Sequence, residues 1–413
     1  MATPLPRARA WTLTIVATLT MAISYFDRQT LSVLAPTVTK ALSLNETQYG
    51  ALASAFSIAY LVGAPLAGRA IDRIGARRGL LAAVITWSII AALHALAPGF
   101  AILFILRLAL GAAESPSFPG AAQTVQRALP PEERARGFGV LFTGSSIGAM
   151  VAPLLATSLE ARYGWRVAFL GTAVIGLLWV PLWLRVAWAR DVRETIDGSP
   201  NERRDPPPTI AAVALNPAVL RATLLVVAAV PAIGFVLTWG AKYLVTHQGL
   251  TQASIGHYLW MPPLFYDAGS VLFGDLASRR AGERKGAPDV LLVAVAATLG
   301  ATMILLPSAR GPWTTMVWAS VAMAGGGGLF ALLTSDMMMR VPASAVSIAG
   351  GVCAAAQSLV LIVANPLIGR VIDRTFSYTP VILVLGAWIV PGSLGWILWK
   401  PRALSLDQAP LSR

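Results

Sequence analysis

The sequence predicts an all-α membrane protein: twelve transmembrane helices in two six-helix lobes, each lobe built of inverted three-helix repeats. Three observations carry this. Hydrophobic residues make up 56% of the 413 positions and charged residues only 12%, with a mean hydropathy of +0.67. A soluble domain has no interior large enough to hide that apolar surface. Runs of roughly 20 apolar residues, the length that crosses about 30 Å of hydrocarbon, recur twelve times. A nine-residue segment also repeats across the chain: "PLAGRAIDR" at 65–73 and "PLIGRVIDR" at 366–374 agree at seven of nine positions.

The twelve spans lie near 11–35, 48–68, 79–98, 100–122, 138–158, 165–187, 221–245, 254–276, 288–306, 313–335, 345–368 and 380–399. The first lacks a small-residue cleavage pattern and carries Asp27 and Arg28, so it reads as a retained helix and not a signal peptide. The stretch 188–219 is the longest non-apolar segment and separates six spans from six. It divides the chain into an N-terminal lobe (1–187), a cytoplasmic inter-lobe linker (188–219) and a C-terminal lobe (220–413). Weaker echoes of the repeat, "PLLATSLEAR" at 153–162 and "GDLASRR" at 274–280, put related segments at the ends of spans 2, 5, 8 and 11. With both termini on one side, these ends alternate sides, so the unit is three helices in alternating orientation. Nested inverted repeats of this kind are an architecture of secondary transporters.

The net charge of +13 is explained by topology. Placing both termini in the cytoplasm puts 23 Lys and Arg on inner segments and 7 on outer ones, with Arg28 and Arg107 inside spans. This satisfies the positive-inside rule without a nucleic-acid partner. It predicts a multi-pass protein of the cell inner membrane whose partner is the lipid bilayer. The single Cys353 excludes a disulfide framework. There is no phosphate-cradling G-x-x-x-x-G-K-[ST] loop, no His/Asp metal cluster and no cytoplasmic segment long enough for a catalytic domain, so neither an enzyme nor a cofactor is expected.

"GRAIDRIGARRGLL" at 68–81 resembles the loop between helices 2 and 3 of the major facilitator superfamily, G-x-x-x-D-R-x-G-x-R-R, at Gly68, Asp72, Arg73, Gly75, Arg77 and Arg78. In physical terms this is a charge clamp, in which Asp72 can pair with arginines and with the positive N-terminus of a neighbouring helix. Within the superfamily the chain is similar to the anion:cation symporters, the group of hexuronate and galactonate permeases. That likeness rests on "YFDRQTLSVLAP", "RLALGAAESPSFPG", "GSSIGAMVAP", "YGWRVAF", "WGAKYL" and "YDAGS". The chain departs from the group at "YLVGAP" in span 2, where Gln is frequent, and at Gly240-Ala241, where Trp-x-Pro is frequent. The resemblance implies that spans 1, 4, 7 and 10 line a central cavity and that a small organic anion is imported by alternating access. Protons, or Na⁺ in their place, would be the coupling ion, and a monomer is expected.

Ionisable groups at membrane depth cost at least about 2.5–3.5 kcal/mol each and default to functional roles. They are Asp27 and Arg28 in span 1, Arg107 and Glu114 in span 4, Lys242 toward the end of span 7 and Asp267 in span 8. Arg107 and Glu114 share a helix face roughly 10 Å apart along the axis. Arg28 is expected to anchor a carboxylate through its planar fork of donors. Asp27 and Glu114 are expected to accept protons, with Asp267 as a further candidate, and Arg107 to hold the acids ionised until substrate or protons compete. Lys242 either adds a positive charge to the site or snorkels to the interface. Trp239 and Tyr243 either stack on substrate or belong to the interfacial aromatic belt. Tyr60, Asn365 and Gln357 are polar candidates, whereas His94 and His257 read as packed or interfacial. Pro116 and Pro119 should break span 4 after Glu114. Gly325 to Gly328 and the Gly144/Gly148 pair are expected to let helices approach closely.

Overall fold

The computed structural model describes residues 5–196, 209–284, 289–342 and 345–399. Among these residues every regular element is helical, as a bilayer demands of a backbone that has no water to bond with. In order they are α1 (Arg7–Ala41), α2 (Glu46–Ile74), α3 (Ala76–Leu93), α4 (Phe100–Glu114), α5 (Ser117–Ala128), α6 (Pro131–Tyr163), α7 (Trp165–Ala187), α8 (Arg190–Ile196), α9 (Ile210–Ala214), α10 (Pro217–Gln248), α11 (Gly256–Leu259), α12 (Met261–Arg284), α13 (Val290–Ala301), α14 (Pro312–Arg340), α15 (Val346–Thr375) and α16 (Thr379–Leu398). Short 3₁₀ turns continue α3 (His94–Leu96) and α13 (Thr302–Ser308).

Local chemistry accounts for the breaks. Asn45 and Gln48 form a reciprocal capping box that starts α2. Gly75, Gly164 and Gly311 adopt φ near +85° between consecutive helices, a conformation side chains resist (φ 82, 83 and 87). Span 4 breaks after Glu114, as expected from Pro116 and Pro119, and becomes α4 and α5.

Eleven helices are long and apolar enough to cross a membrane among the described residues. The expected eighth span, 254–276, becomes the single turn α11 followed by α12. The latter is long enough to cross but carries Asp267 in its N-terminal half and Asp275, Arg279 and Arg280 toward its C-terminal end. Within the expected linker, 188–219, lie α8, α9 and the first residues of α10. Pro217 already begins α10, and α8 folds back so that Asp191 accepts a hydrogen bond from Arg9. That guanidinium holds the Asp191 carboxyl below its usual range. Residues 197–208 of the linker lie outside the described residues.

Many large side chains at the surface are apolar, among them Val62, Leu178 and Val271. In a chain whose helices are this apolar, that is the surface a hydrocarbon solvent selects.

The chain forms two compact units. One comprises the described residues within 1–201, 237–260 and 365–374; the other comprises those within 202–236, 261–364 and 375–413. In the first, α1 packs chiefly on α6, α2 on α4, and α3 on α7. In the second, α14 packs on α12 and α13. Glycines permit the closest approaches: a Cβ at Gly148 would strike the Ala22 backbone, and one at Gly144 the Thr18 carbonyl. Gly148→Val is therefore expected to lower stability by about 1–3 kcal/mol, the range for overpacking, seen as a lower Tm of the purified protein. An unchanged Tm would show that α1 and α6 can separate there without loss.

In the second unit, Arg221 of α10 is buried. It donates to Asp336 of α14 at 3.0 Å and to the Trp396 carbonyl at 3.0 Å, with its guanidinium 3.7 Å from the Trp396 ring centroid. Arg340 donates to the other Asp336 oxygen at 2.9 Å. This network was not apparent from span boundaries, which placed both Arg221 and Asp336 at helix ends.

Candidate functional site

The first unit gathers the charges of spans 1 and 4. Ser24, Asp27 and Arg28 follow one another around α1, and Arg107 and Glu114 lie two turns apart on α4. Glu114 is fully buried. Its Oε2 accepts from Arg28 Nε at 2.8 Å and from Ser24 Oγ at 2.7 Å. The Arg28 guanidinium is enclosed by three rings, with centroids 4.8 Å away for Tyr25, 4.6 Å for Phe56 and 4.6 Å for Tyr60. Tyr60 and Phe56 lie one turn apart on α2 and stack with centroids 5.7 Å apart.

Within this cluster the direct partner of Glu114 is Arg28, the residue expected to anchor substrate, whereas Arg107 was expected to hold the acids ionised. Seven residues of helix hold the two ends of the α4 pair apart, whereas α1 crosses close to Glu114. Arg107 is buried against the Phe56 ring (5.5 Å) and lies within electrostatic range of Glu114, Arg28 and Asp27. Asp27 is 3% exposed; the Thr172 hydroxyl of α7 nearby bonds the Phe169 carbonyl at 2.9 Å.

Several buried polar atoms of the cluster lack a hydrogen-bond partner: both carboxylate oxygens of Asp27, Arg28 Nη2, Arg107 Nε and Nη1, and Glu114 Oε1. Buried groups of this kind are costly, and two arginines with unused donors can bond an added carboxylate. Packing alone gives no reason to leave them so.

A second polar cluster joins α1, α2, α10 and α15. Lys242 is buried, with Nζ 2.9 Å from Glu46 Oε1 and 2.9 Å from Thr39 Oγ1, and it lies 5.3 Å from the Tyr49 ring centroid. It therefore neither snorkels nor sits beside Arg28. Trp239 donates to Asn365 Oδ1 at 3.1 Å and meets Tyr49 edge-on at 4.9 Å. Tyr243 is buried and stacks on His247 at 4.8 Å. Neither aromatic lies in an exposed interfacial belt. Asp373 accepts from the backbone N–H groups of Glu46 (2.9 Å) and Thr47 (2.8 Å).

Other candidates are dispersed. Asp267 and Gln357 are half-buried on α12 and α15 of the second unit. His94 is fully buried, bonds the Ile90 carbonyl and stacks on Phe169 at 5.4 Å. His257 is exposed beside Ser254.

In the 68–78 loop, Asp72 accepts from Gln123 Nε2 at 3.1 Å while Gln123 Oε1 accepts from the Ala76 N–H at 3.0 Å. Arg77 is buried with its guanidinium 4.3 Å from the Trp188 ring centroid, and Arg73 and Arg78 are exposed. Sequence reading did not single out Ser24, Phe56, Thr39, Glu46 or Asp373. The capping box held the signal for Glu46, and the nine-residue repeat held it for Asp373.

Fold and site together define a multi-pass, all-helical membrane protein with paired acids and bases buried between its helices. The family model of the Major Facilitator Superfamily matches residues 17–362. The chain belongs to that family, which makes it a transporter and not an enzyme. It is 27% identical to the hexuronate transporter of Escherichia coli K12, over 94% of this chain and 93% of that one. It is 32% identical to the hexuronate transporter of Bacillus subtilis over 56% of each chain. It is 25% identical to the D-galactonate transporter of Escherichia coli O6:H1, over 95% of this chain and 96% of that one. Among solved structures it resembles a bacterial homologue of the human lysosomal transporter Spinster in an inward-facing, unoccupied conformation. The TM-score is 0.79 at 16% identity, covering 96% of this chain and all of that one.

Proposed function

We propose that this protein is a secondary transporter that imports a small organic anion, a sugar acid such as a hexuronate or aldonate, together with protons. The observation that carries the reading is the pair of the partly buried Arg28 with the fully buried Glu114, with unused donors on Arg28 and Arg107. Asp27, Arg28, Arg107 and Glu114 sum to zero formal charge. Adding a monovalent carboxylate to a low-dielectric site leaves one uncompensated negative charge, which is strongly unfavourable. One proton taken up by Asp27 or Glu114 restores neutrality. Coupling thus follows from charge balance, and Arg28 is the group that links the two events because it already holds Glu114.

The aromatic enclosure of Arg28 by Tyr25, Phe56 and Tyr60 suits a cargo with one charged end and a hydroxylated, ring-sized body. The relatives named for hexuronate and galactonate transport support the same substrate class. Asp267, Tyr60 and Asn365 are retained as further site candidates, and 1–187, 188–219 and 220–413 as N-lobe, linker and C-lobe. Both termini are assigned to the cytoplasm on the Lys and Arg distribution, and the protein to the inner membrane.

The test is uptake into proteoliposomes with the membrane potential clamped, comparing hexuronates, aldonates and an uncharged hexose. Accumulation of a sugar acid driven by an inward proton gradient, with none of the hexose, is expected. Accumulation driven by a Na⁺ gradient alone would replace the proton in this scheme, and transport of the hexose alone would reject it.

A further inference from the structure

We propose that Asp373 is a second conformational clamp of the transport cycle, the counterpart at the outer surface of Asp72. The two acids occupy the same place in the repeated segment, "PLAGRAIDR" and "PLIGRVIDR". Each lies near the C-terminal end of its helix, Asp72 on α2 and Asp373 on α15.

The donor accounting at the start of α2 shows what Asp373 does. A helix begins with four N–H groups that have no partner inside it. In α2 the Gln48 N–H is taken by the Asn45 side chain at 2.8 Å, and the Asn45 N–H by the Gln48 side chain at 3.0 Å. The remaining two, from Glu46 and Thr47, go to the two oxygens of Asp373, and the Thr47 hydroxyl adds a third bond at 2.5 Å. An anion on a helix N-terminus also interacts favourably with the helix dipole. The first turn of α2 is therefore completed by α15, and parting the two helices leaves two donors for water to satisfy. Such a contact is strong but reversible.

The glycines of the repeat separate the two clamps. A Cβ on Gly369 would strike the Glu46 carbonyl, and one on Gly50 the Asn365 carbonyl, so the segments lie flush against each other. At the equivalent Gly68 an added Cβ meets nothing within 4 Å. Of two matching segments, the one at 366–374 is engaged and the one at 65–73 is open. Lys242, on α10, adds its ion pair with Glu46 to the engaged side, and Tyr49 donates to the Thr238 carbonyl at 2.6 Å. Alternating access requires 237–260 and 365–374 to part from α2 when the outside opens. Asp373 holds the closed state of that gate, as Asp72 is expected to hold the opposite one.

This inference rests on the transport reading and its topology, and the experiment separates the two. In a Cys353→Ser background, a single cysteine replaces Thr238, whose side chain is not used in the Tyr49 bond. Its labelling by an impermeant maleimide is followed from each side of the membrane. Asp373→Asn is expected to raise the rate of labelling from outside roughly tenfold, the change in an equilibrium that about 1.4 kcal/mol produces. Gly369→Ala should act in the same direction by steric displacement, and it supplies the readout if Asp373→Asn fails to fold. Asp72→Asn should slow outside labelling, and so should Gly68→Ala, whose methyl is harmless in the open arrangement and obstructive in the closed one. Labelling of Thr238→Cys only from the inside would overturn the topology. Outside labelling that is unchanged or slower in both Asp373→Asn and Gly369→Ala would overturn the clamp alone.

Discussion

Arg28→Lys is expected to weaken sugar-acid binding at least about tenfold although the charge is kept. Arg28 uses Nε for Glu114 while Nη2 has no protein partner, so a single planar group can hold an internal carboxylate and an incoming one together. An ammonium is a compact point charge without that fork, and it also loses the flat contacts with Tyr25, Phe56 and Tyr60. Lysine must either remain with Glu114, leaving substrate without its anchor, or turn to substrate, leaving Glu114 buried and unpaired. The second outcome costs several kcal/mol. The measurement is the shift in Tm of purified protein titrated with the best hexuronate or aldonate. Affinity within twofold of the parent would remove Arg28 from the anion site.

Glu114→Gln is expected to separate binding from coupling. Glutamine can accept the Arg28 Nε–H and the Ser24 hydroxyl through its amide oxygen, so the local geometry survives, but the cluster gains one positive charge. A monovalent anion then restores neutrality by itself, without a proton. Substrate counterflow between the two faces of a liposome moves no net proton and should persist. Accumulation driven only by an imposed pH difference, with potential clamped, should fall to background. Asp27→Asn is expected to lose the same driven uptake. If Glu114→Gln still accumulates substrate on a pH difference alone, the proton site is Asp27 or Asp267.

Much of this was legible in the sequence because a bilayer is a severe solvent. Hydropathy and the need to bond every backbone group within its own helix determine a helical membrane protein. The cost of a buried charge makes Asp27, Arg28, Arg107 and Glu114 visible as site residues in a chain with so few. The break after Glu114 was equally readable, since proline removes a donor and bends the axis wherever it falls. The loop at 68–78 carried enough spaced identities to suggest the family.

Pairing was not legible. Periodicity says which residues share a face of one helix, but it says nothing about which helix faces it. Arg28 and not Arg107 bonds Glu114 because α1 and α4 approach at that level, a fact of packing between segments 86 residues apart in sequence. Lys242 looked equally like a site residue or a snorkelling one; its burial against Glu46 and Thr39 depends on where α10 meets α1 and α2. Trp239 and Tyr243 had the sequence positions of an interfacial belt, and neighbouring helices cover them instead. Asp373 was written twice over in the repeat, yet a repeat gives a position and no partner. Composition and local chemistry thus determined the solvent, the helices and the list of charges. The tertiary structure decided the partners, since a hydrogen bond is set by a few ångströms between helices whose sequences do not refer to one another.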